Sequence, residues 1–145
     1  MIPEIIQCPT ESLRALPVPD VSAAVQNSDI AFDVTYVPAG FSLGIETATA
    51  CGDNVVRITR AYVRNGPASQ VPISITRIER EPVVGALAPI GRMEAMTIGG
   101  HPSVLVHPAD NAAPTEIVMR DDVSVWLVSS NLDTAEVIKI AARLK

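Results

Sequence analysis

Two histidines stand near each other in the second half of the chain, and imidazole is a common metal ligand and acid–base group. His101 and His107 flank one predicted strand, and Asp110 follows the second histidine. Residues six apart on a strand share a face but lie about 20 Å apart, which is too far for one metal ion. The sequence therefore predicts neither a metal site nor a cofactor.

Serines close to these groups raise the question of nucleophilic catalysis. Ser103 lies near His101, and Ser129 and Ser130 lie near Asp133. A serine nucleophile needs a base within hydrogen-bond reach and an oxyanion site, and no Gly-x-Ser-x-Gly motif occurs. We therefore predict that the protein is not an enzyme. The alternative is a hydrolase whose catalytic group only the fold would assemble.

Five arginines fall on two segments that are predicted to pair as neighbouring strands. They are Arg57, Arg60, Arg64, Arg77 and Arg80. On an acidic protein, such a strip could bind phosphate or carboxylate groups of a partner. The alternative is a solvated sheet face with cross-strand pairs to Glu79 and Glu81. Arg57, Arg60 and Arg77 are the candidate partner-binding residues.

The chain has two cysteines, Cys8 and Cys51. A disulfide between them would close a long loop and stabilise the fold by about 3–4 kcal/mol. The alternative is two unrelated thiols, buried or reduced. The pair is a candidate disulfide.

Composition restricts the class of protein further. The 145 residues fit one domain, and the net charge of -5 argues against a nucleic-acid partner. No apolar run approaches the roughly 20 residues that span a bilayer, and the first seven residues carry no basic group, unlike a signal peptide. We expect a soluble chain, with a membrane link only through a segment upstream in a longer protein.

Alternating apolar residues predict a meander of seven or eight antiparallel strands. Residues 1–30 contain four prolines and are predicted to form a partly irregular arm or tether, and residues 31–145 a single domain. Gly99-Gly100 indicates a two-residue hairpin turn rather than a phosphate-binding loop. The predicted strands cover residues 32–36, 41–50, 55–64, 71–76, 92–98, 101–107, 115–120 and 123–129.

The end of the chain predicts an amphipathic helix. Asp133 can cap it, Glu136 can complete a capping box, and Leu132 can pack on Val137. A helix of this length is marginal alone, so it must pack on the sheet. The predicted fold class is α+β, with this helix on an antiparallel sheet.

Three stretches together resemble a known family. Residues 32–41 are similar to its opening strand and Pro-x-Gly-aromatic turn, residues 98–106 to its central hairpin, and residues 125–144 to its tryptophan-containing strand and final helix. The family is the bacterial extracytoplasmic domain of unknown function found in anti-sigma factors and sporulation lipoproteins. Its shape is related to the half-barrel of outer-membrane lipoprotein carriers. The resemblance implies a curved sheet and offers no catalytic residue.

A curved sheet of this kind could hold an acyl chain or an apolar peptide on its concave face, beside Tyr62 and Trp126. The alternative is that the C-terminal helix fills that face. The resemblance implies an extracytoplasmic, non-enzymatic sensor or interaction domain that binds a protein or an apolar ligand across the sheet. The other function considered is a carrier for lipid or lipoprotein with an apolar cavity.

Overall fold

The computed structural model describes residues 12–64, 72–79, 90–108 and 114–145, with only the backbone described for residues 90 and 91. The elements in chain order are β1 (Leu13–Ala15), α1 (Val18–Gln26), β2 (Phe41–Cys51), β3 (Asn54–Arg64), β4 (Ile73–Glu79), β5 (Ile90–Ile98), β6 (His101–Pro108), β7 (Thr115–Arg120), β8 (Ser124–Ser130) and α2 (Thr134–Ala142).

The eight strands form one open sheet in the order β1-β2-β3-β4-β8-β7-β6-β5, and every pairing is antiparallel. Two consecutive meanders, β1 to β4 and β5 to β8, join where β4 pairs with β8. The predicted α+β class, with a curved antiparallel sheet and a C-terminal helix, is confirmed.

Side chains alternate between two faces of the sheet, and the two helices pack on the same face. The α2 residues Val137 and Ile140 and the α1 residue Val21 belong to one hydrophobic core with Ile58 and Val128 of the sheet. We call this the helix-covered face. The opposite face, which in the described residues carries no helix, is called the open face.

The segment after α1 is not the first strand that the alternation of Phe32, Val34 and Tyr36 predicted. It forms one isolated bridge, Val34 to Leu144, and Asp33 exchanges two backbone hydrogen bonds with Lys145, of 2.8 and 3.1 Å. The alternation is real, but the segment pairs with the residues after α2 instead of with the sheet. The prediction of a strand here is wrong.

Residues 12–30, predicted to be an arm or tether, take part in the fold where the structure describes them. β1 extends the sheet beside β2. Val21, Val25 and Ile30 are at most 3% exposed and belong to the core. The hydrophobic core therefore begins before the predicted domain boundary at residue 31.

The predicted capping box of α2 does not form. Asp133 occupies the N-cap position, as predicted, but its side chain makes no capping hydrogen bond. Glu136 Oε2 instead accepts a hydrogen bond from the hydroxyl of Tyr36, at 2.7 Å. A long-range partner has replaced the local one.

The hairpin turn between β5 and β6 is confirmed at Gly99-Gly100, whose φ angles are +57° and +83°. These are the left-handed conformations that a two-residue turn needs. A Cβ on Gly99 would lie 3.2 Å from the carbonyl oxygen of Ala142, at the end of α2. A Cβ on Gly100 would have no heavy atom within 4 Å.

We expect Gly99→Ala to destabilise the protein more than Gly100→Ala. Both substitutions carry the left-handed cost of about 1–2 kcal/mol, and Gly99→Ala also crowds Ala142, which costs at least about 1 kcal/mol more. Urea unfolding of the two variants measures the difference. Equal losses would contradict the packing of α2 on this turn.

Candidate functional site

The predicted arginine strip divides between the two faces of the sheet. β3 and β4 pair as predicted, with Arg60 opposite Ile75 and Arg77 opposite Ile58, so both arginines lie on the helix-covered face. Arg57 lies on the open face and is exposed. Arg80 lies outside the described residues. The three candidate arginines therefore do not form one surface.

Arg77 is held by internal contacts. Its guanidinium donates hydrogen bonds to Ser124 Oγ at 2.7 Å, Asp121 Oδ2 at 3.1 Å and the carbonyl oxygen of Ala31 at 2.9 Å. Its Cζ lies 4.5 Å from the ring centroid of Trp126, the distance of a cation–π contact. These contacts fix the segment after α1 to the sheet.

Arg60 makes an equivalent set of contacts one strand away. Its Nε is 2.5 Å from Glu46 Oε2, its Nη1 donates to the carbonyl oxygen of Phe32 at 2.6 Å, and its Cζ lies 4.5 Å from the Phe32 ring centroid. The ring of Phe32 packs edge-on against Trp126. The anions that pair with Arg60 and Arg77 are Glu46 and Asp121, and not the predicted Glu79 and Glu81, of which Glu81 lies outside the described residues.

Asp121, in the turn between β7 and β8, is a polar centre that the sequence prediction missed. Its carboxylate accepts hydrogen bonds from the N–H groups of Val123 and Ser124, at 2.9 and 2.7 Å, and from Trp126 Nε1 at 2.9 Å. Burial raises the pKa of Asp121, but the hydrogen bonds from Trp126, Val123 and Ser124 outweigh it and lower the pKa to about 2. Aspartate followed by serine in a turn is a signal for such bonding.

The two aromatic candidates also lie on the helix-covered face. Trp126 is 4% exposed, and its one polar atom is satisfied by Asp121. Tyr62 stands opposite Ile73 and is partly buried, and burial raises its pKa, against the lowering effect of Arg60. Trp126 thus contributes to the core rather than to a surface.

The C-terminal helix fills its side of the sheet, as in the alternative considered in the sequence analysis. Ile58, Ile75, Val128 and Val137 all have 0% exposure at the interface between the sheet and the two helices. The packing of the two helices on the sheet closes these four side chains off from solvent.

The open face carries an apolar groove across β5, β6 and β7. The groove is an open depression with a volume of about 570 Å³, and Ala95, Val104 and Val118 are among the residues that line it. Thr97, Pro102 and Arg120 also line it. A sequence signal for this surface exists: residues 104–106 are an unbroken apolar run, which is typical of a strand with apolar side chains on both faces.

The histidines and serines that were considered as metal ligands or catalytic groups make local contacts. His107 Nε2 lies 3.4 Å from Glu94 and 3.1 Å from Arg92 on the sheet surface. Ser103 donates to the carbonyl oxygen of His101. Within residues 12–64, 72–79, 90–108 and 114–145, no three metal-ligating side chains come together. Asp110 lies outside these ranges.

Cys51 ends β2 and is disulfide-bonded. Cys8 lies outside the described residues, so the pairing of Cys8 with Cys51 stays a prediction.

Comparisons of the chain with protein-family models, with curated proteins and with solved structures give no match. In the described part of the chain, no helix has the length and apolar character to cross a bilayer.

Proposed function

We propose that the chain is a non-enzymatic interaction domain of a bacterial envelope protein, which binds an apolar ligand or an apolar segment of a protein across the open face of its sheet. One observation carries the proposal: both helices pack on the other face, while the open face retains an apolar groove of about 570 Å³. Apolar concave surfaces with a few polar groups are the usual sites for such ligands.

Two further observations support the location in the envelope. Cys51 is disulfide-bonded, and disulfides persist mainly in oxidising compartments outside the cytoplasm. The resemblance to extracytoplasmic domains of anti-sigma factors and sporulation lipoproteins points to the same compartment.

The second candidate is a carrier of lipid or lipoprotein. The volume of the groove favours it, because it falls within the roughly 300–1,000 Å³ of small-molecule sites. A carrier of this kind would hold its ligand on the open face, and not between helix and sheet, where the core side chains are buried.

Native mass spectrometry of the protein purified from a bacterial host tests both candidates. A carrier is expected to retain a mass in the range of a fatty acid or phospholipid, and the double substitution Val104→Gln with Val118→Gln should remove it. Thr47→Gln, an exposed position on the open face and outside the groove, is the matched control. A bound mass that survives the double substitution would contradict binding in the groove.

A protein that is purified without any bound ligand mass would count against the carrier. The interaction domain would then remain as the candidate function, to be tested with added ligand. The denatured, unreduced mass reports on the cysteines in the same experiment. A mass two hydrogens below that of the reduced chain is expected if Cys8 and Cys51 are joined.

A further inference from the structure

The groove on the open face has an apolar row and one charged corner. In the registers of β5, β6 and β7, Ala95 stands opposite Val104 and Val104 opposite Val118, so these side chains form one row across the strands. A second row lies two residues further along each strand, towards the same end of the sheet, and consists of Thr97, Pro102 and Arg120. Among the described residues that line the groove, Arg120 is the one charged side chain. A ligand of the groove therefore meets an apolar surface and one positive charge.

The charges on β7 give this surface a direction. Arg120 and Glu116 each lie two residues from Val118, on opposite sides of it, and share its face. Arg120 is exposed and Glu116 is half-buried. The carboxylate of Asp121, the next residue, is turned to the helix-covered face, where it accepts a hydrogen bond from Trp126. An anionic group of a ligand is therefore expected at the Arg120 end, about 14 Å from Glu116 along the strand.

Arg120 takes part in an interaction within the chain. A guanidinium carries five N–H donors in a planar fork, and two of them suffice for a carboxylate. The side chain is therefore able to keep its internal interaction and bind an anion at the same time.

The charge and the width of the groove select one class of ligand. Arg120 supplies one positive charge, which matches the single negative charge of a carboxylate, whereas a phosphate monoester carries about −1.5 to −2 at pH 7. Ala95, Val104 and Val118 form a single row that spans two strand spacings, or about 10 Å. A single row of this length suits one alkyl chain.

We propose that the groove binds a fatty acid, with the carboxylate on Arg120 and the alkyl chain along Val118, Val104 and Ala95. The inference rests on the proposed function and narrows it, because it assigns the groove to an anionic single-chain amphiphile and not to an apolar segment of a protein. Arg120 orients the ligand, and burial of the alkyl chain supplies most of the affinity.

The test compares dodecanoate and dodecylammonium, which have the same chain and opposite head groups, by isothermal titration calorimetry below their micelle concentrations. We expect the wild type to bind dodecanoate at least about fivefold more tightly, the effect of one exposed ion pair. The net charge of -5 alone would favour the ammonium, so this preference identifies a local site. Arg120→Gln should abolish the preference, Arg120→Glu should reverse it, and Arg120→Lys should keep most of it.

Arg57→Gln is the matched control. Arg57 is also an exposed arginine on the open face, and the registers place it in the same row as Arg120, through Ile78 and Val125. It lies three strands from Arg120, about 14 Å away, and does not line the groove. The substitution changes the net charge as Arg120→Gln does and should leave both affinities unaltered. Urea unfolding checks that each variant is folded.

The outcomes separate this proposal from the proposed function. Equal affinities for the two amphiphiles, both lost in the double substitution Val104→Gln with Val118→Gln, would overturn the carboxylate site and keep the apolar groove. Saturable binding that the double substitution does not weaken would overturn the groove and the proposed function with it.

Three further results would also contradict a fatty-acid site. They are the absence of saturable binding of dodecanoate, an equal loss of preference in Arg57→Gln and Arg120→Gln, and tighter binding of dodecyl phosphate than of dodecanoate. The last result would assign the head group to a phosphate. Absence of binding would leave an apolar segment of a protein as the occupant of the groove.

Discussion

Replacing Arg77 with alanine is expected to lower the free energy of unfolding by about 3 kcal/mol. The substitution removes the ion pair with Asp121, the bonds to Ser124 and the carbonyl oxygen of Ala31, and the contact with the Trp126 ring. It also removes the cation beside the Asp121 carboxylate, which keeps its hydrogen bonds from Val123, Ser124 and Trp126. Urea unfolding followed by tryptophan fluorescence measures the change.

Arg57→Ala is the matched control, because Arg57 lies on the paired strand but is exposed on the open face. We expect it to change the free energy of unfolding by less than about 0.5 kcal/mol. Equal effects of the two substitutions would contradict the structural role of Arg77. The same role predicts that the charge reversals Arg60→Glu and Arg77→Glu destabilise the fold rather than abolish binding by an intact protein.

Asp121 is expected to make the protein acid-sensitive over a defined range. Its folded pKa of about 2 lies below the ordinary value of 3.8. The stabilisation is therefore fully present above about pH 5 and is lost as the pH falls towards 2. The pKa difference corresponds to about 2 kcal/mol.

Asp121→Asn should remove this part of the pH dependence. We expect the difference in stability between wild type and Asp121→Asn to shrink by about 2 kcal/mol between pH 6 and pH 2. Asp122→Asn, an exposed neighbour in the same turn, serves as the control and should follow the wild type. A constant difference between wild type and Asp121→Asn across this range would show that Asp121 is not held ionised by the turn.

Much of the sheet could be predicted because alternation is a local property. The strands from β2 to β8 and the helix α2 lie where the period of two and the period of 3.6 place them, with ends that differ by one or two residues except at β4, which runs from residue 73 to residue 79. The Gly99-Gly100 turn also follows from two adjacent residues that tolerate positive φ. These features need no knowledge of distant partners.

The segment from Phe32 to Tyr36 shows where local patterns are insufficient. Its alternation matches a strand, but its backbone partner is the end of the chain, at Leu144 and Lys145. Only the tertiary fold brings these segments together.

The positions of the arginines could also be predicted only in part. Arg57 and Arg60 are three residues apart on one strand, so they must face opposite sides of the sheet. This can be predicted from the sequence alone. The position of Arg60 beside Glu46 and of Arg77 beside Asp121 depends on the registers of β2 with β3 and of β4 with β8. Registers between distant strands are not encoded in the local pattern.

These residue positions give the two faces of the sheet different roles. On the helix-covered face, Arg60, Arg77 and Trp126 hold the segment after α1 against the sheet. The open face retains apolar side chains, including Val104 and Val118, around the groove. The proposed binding function therefore depends on residues that alternate with the core positions of the same strands.

This alternation allows a direct test by NMR, with methyl-labelled protein in a deuterated background and protonated stearic acid as the probe. Ile117 and Val118 are neighbours on β7 but face opposite sides of the sheet, and Ile117 is fully buried. We predict intermolecular NOEs from the acyl chain to the methyl groups of Val104 and Val118, and none to those of Ile117 and Val128. NOEs to Ile117 and Val128 without any to Val104 and Val118 would place the ligand under the helices and contradict the account.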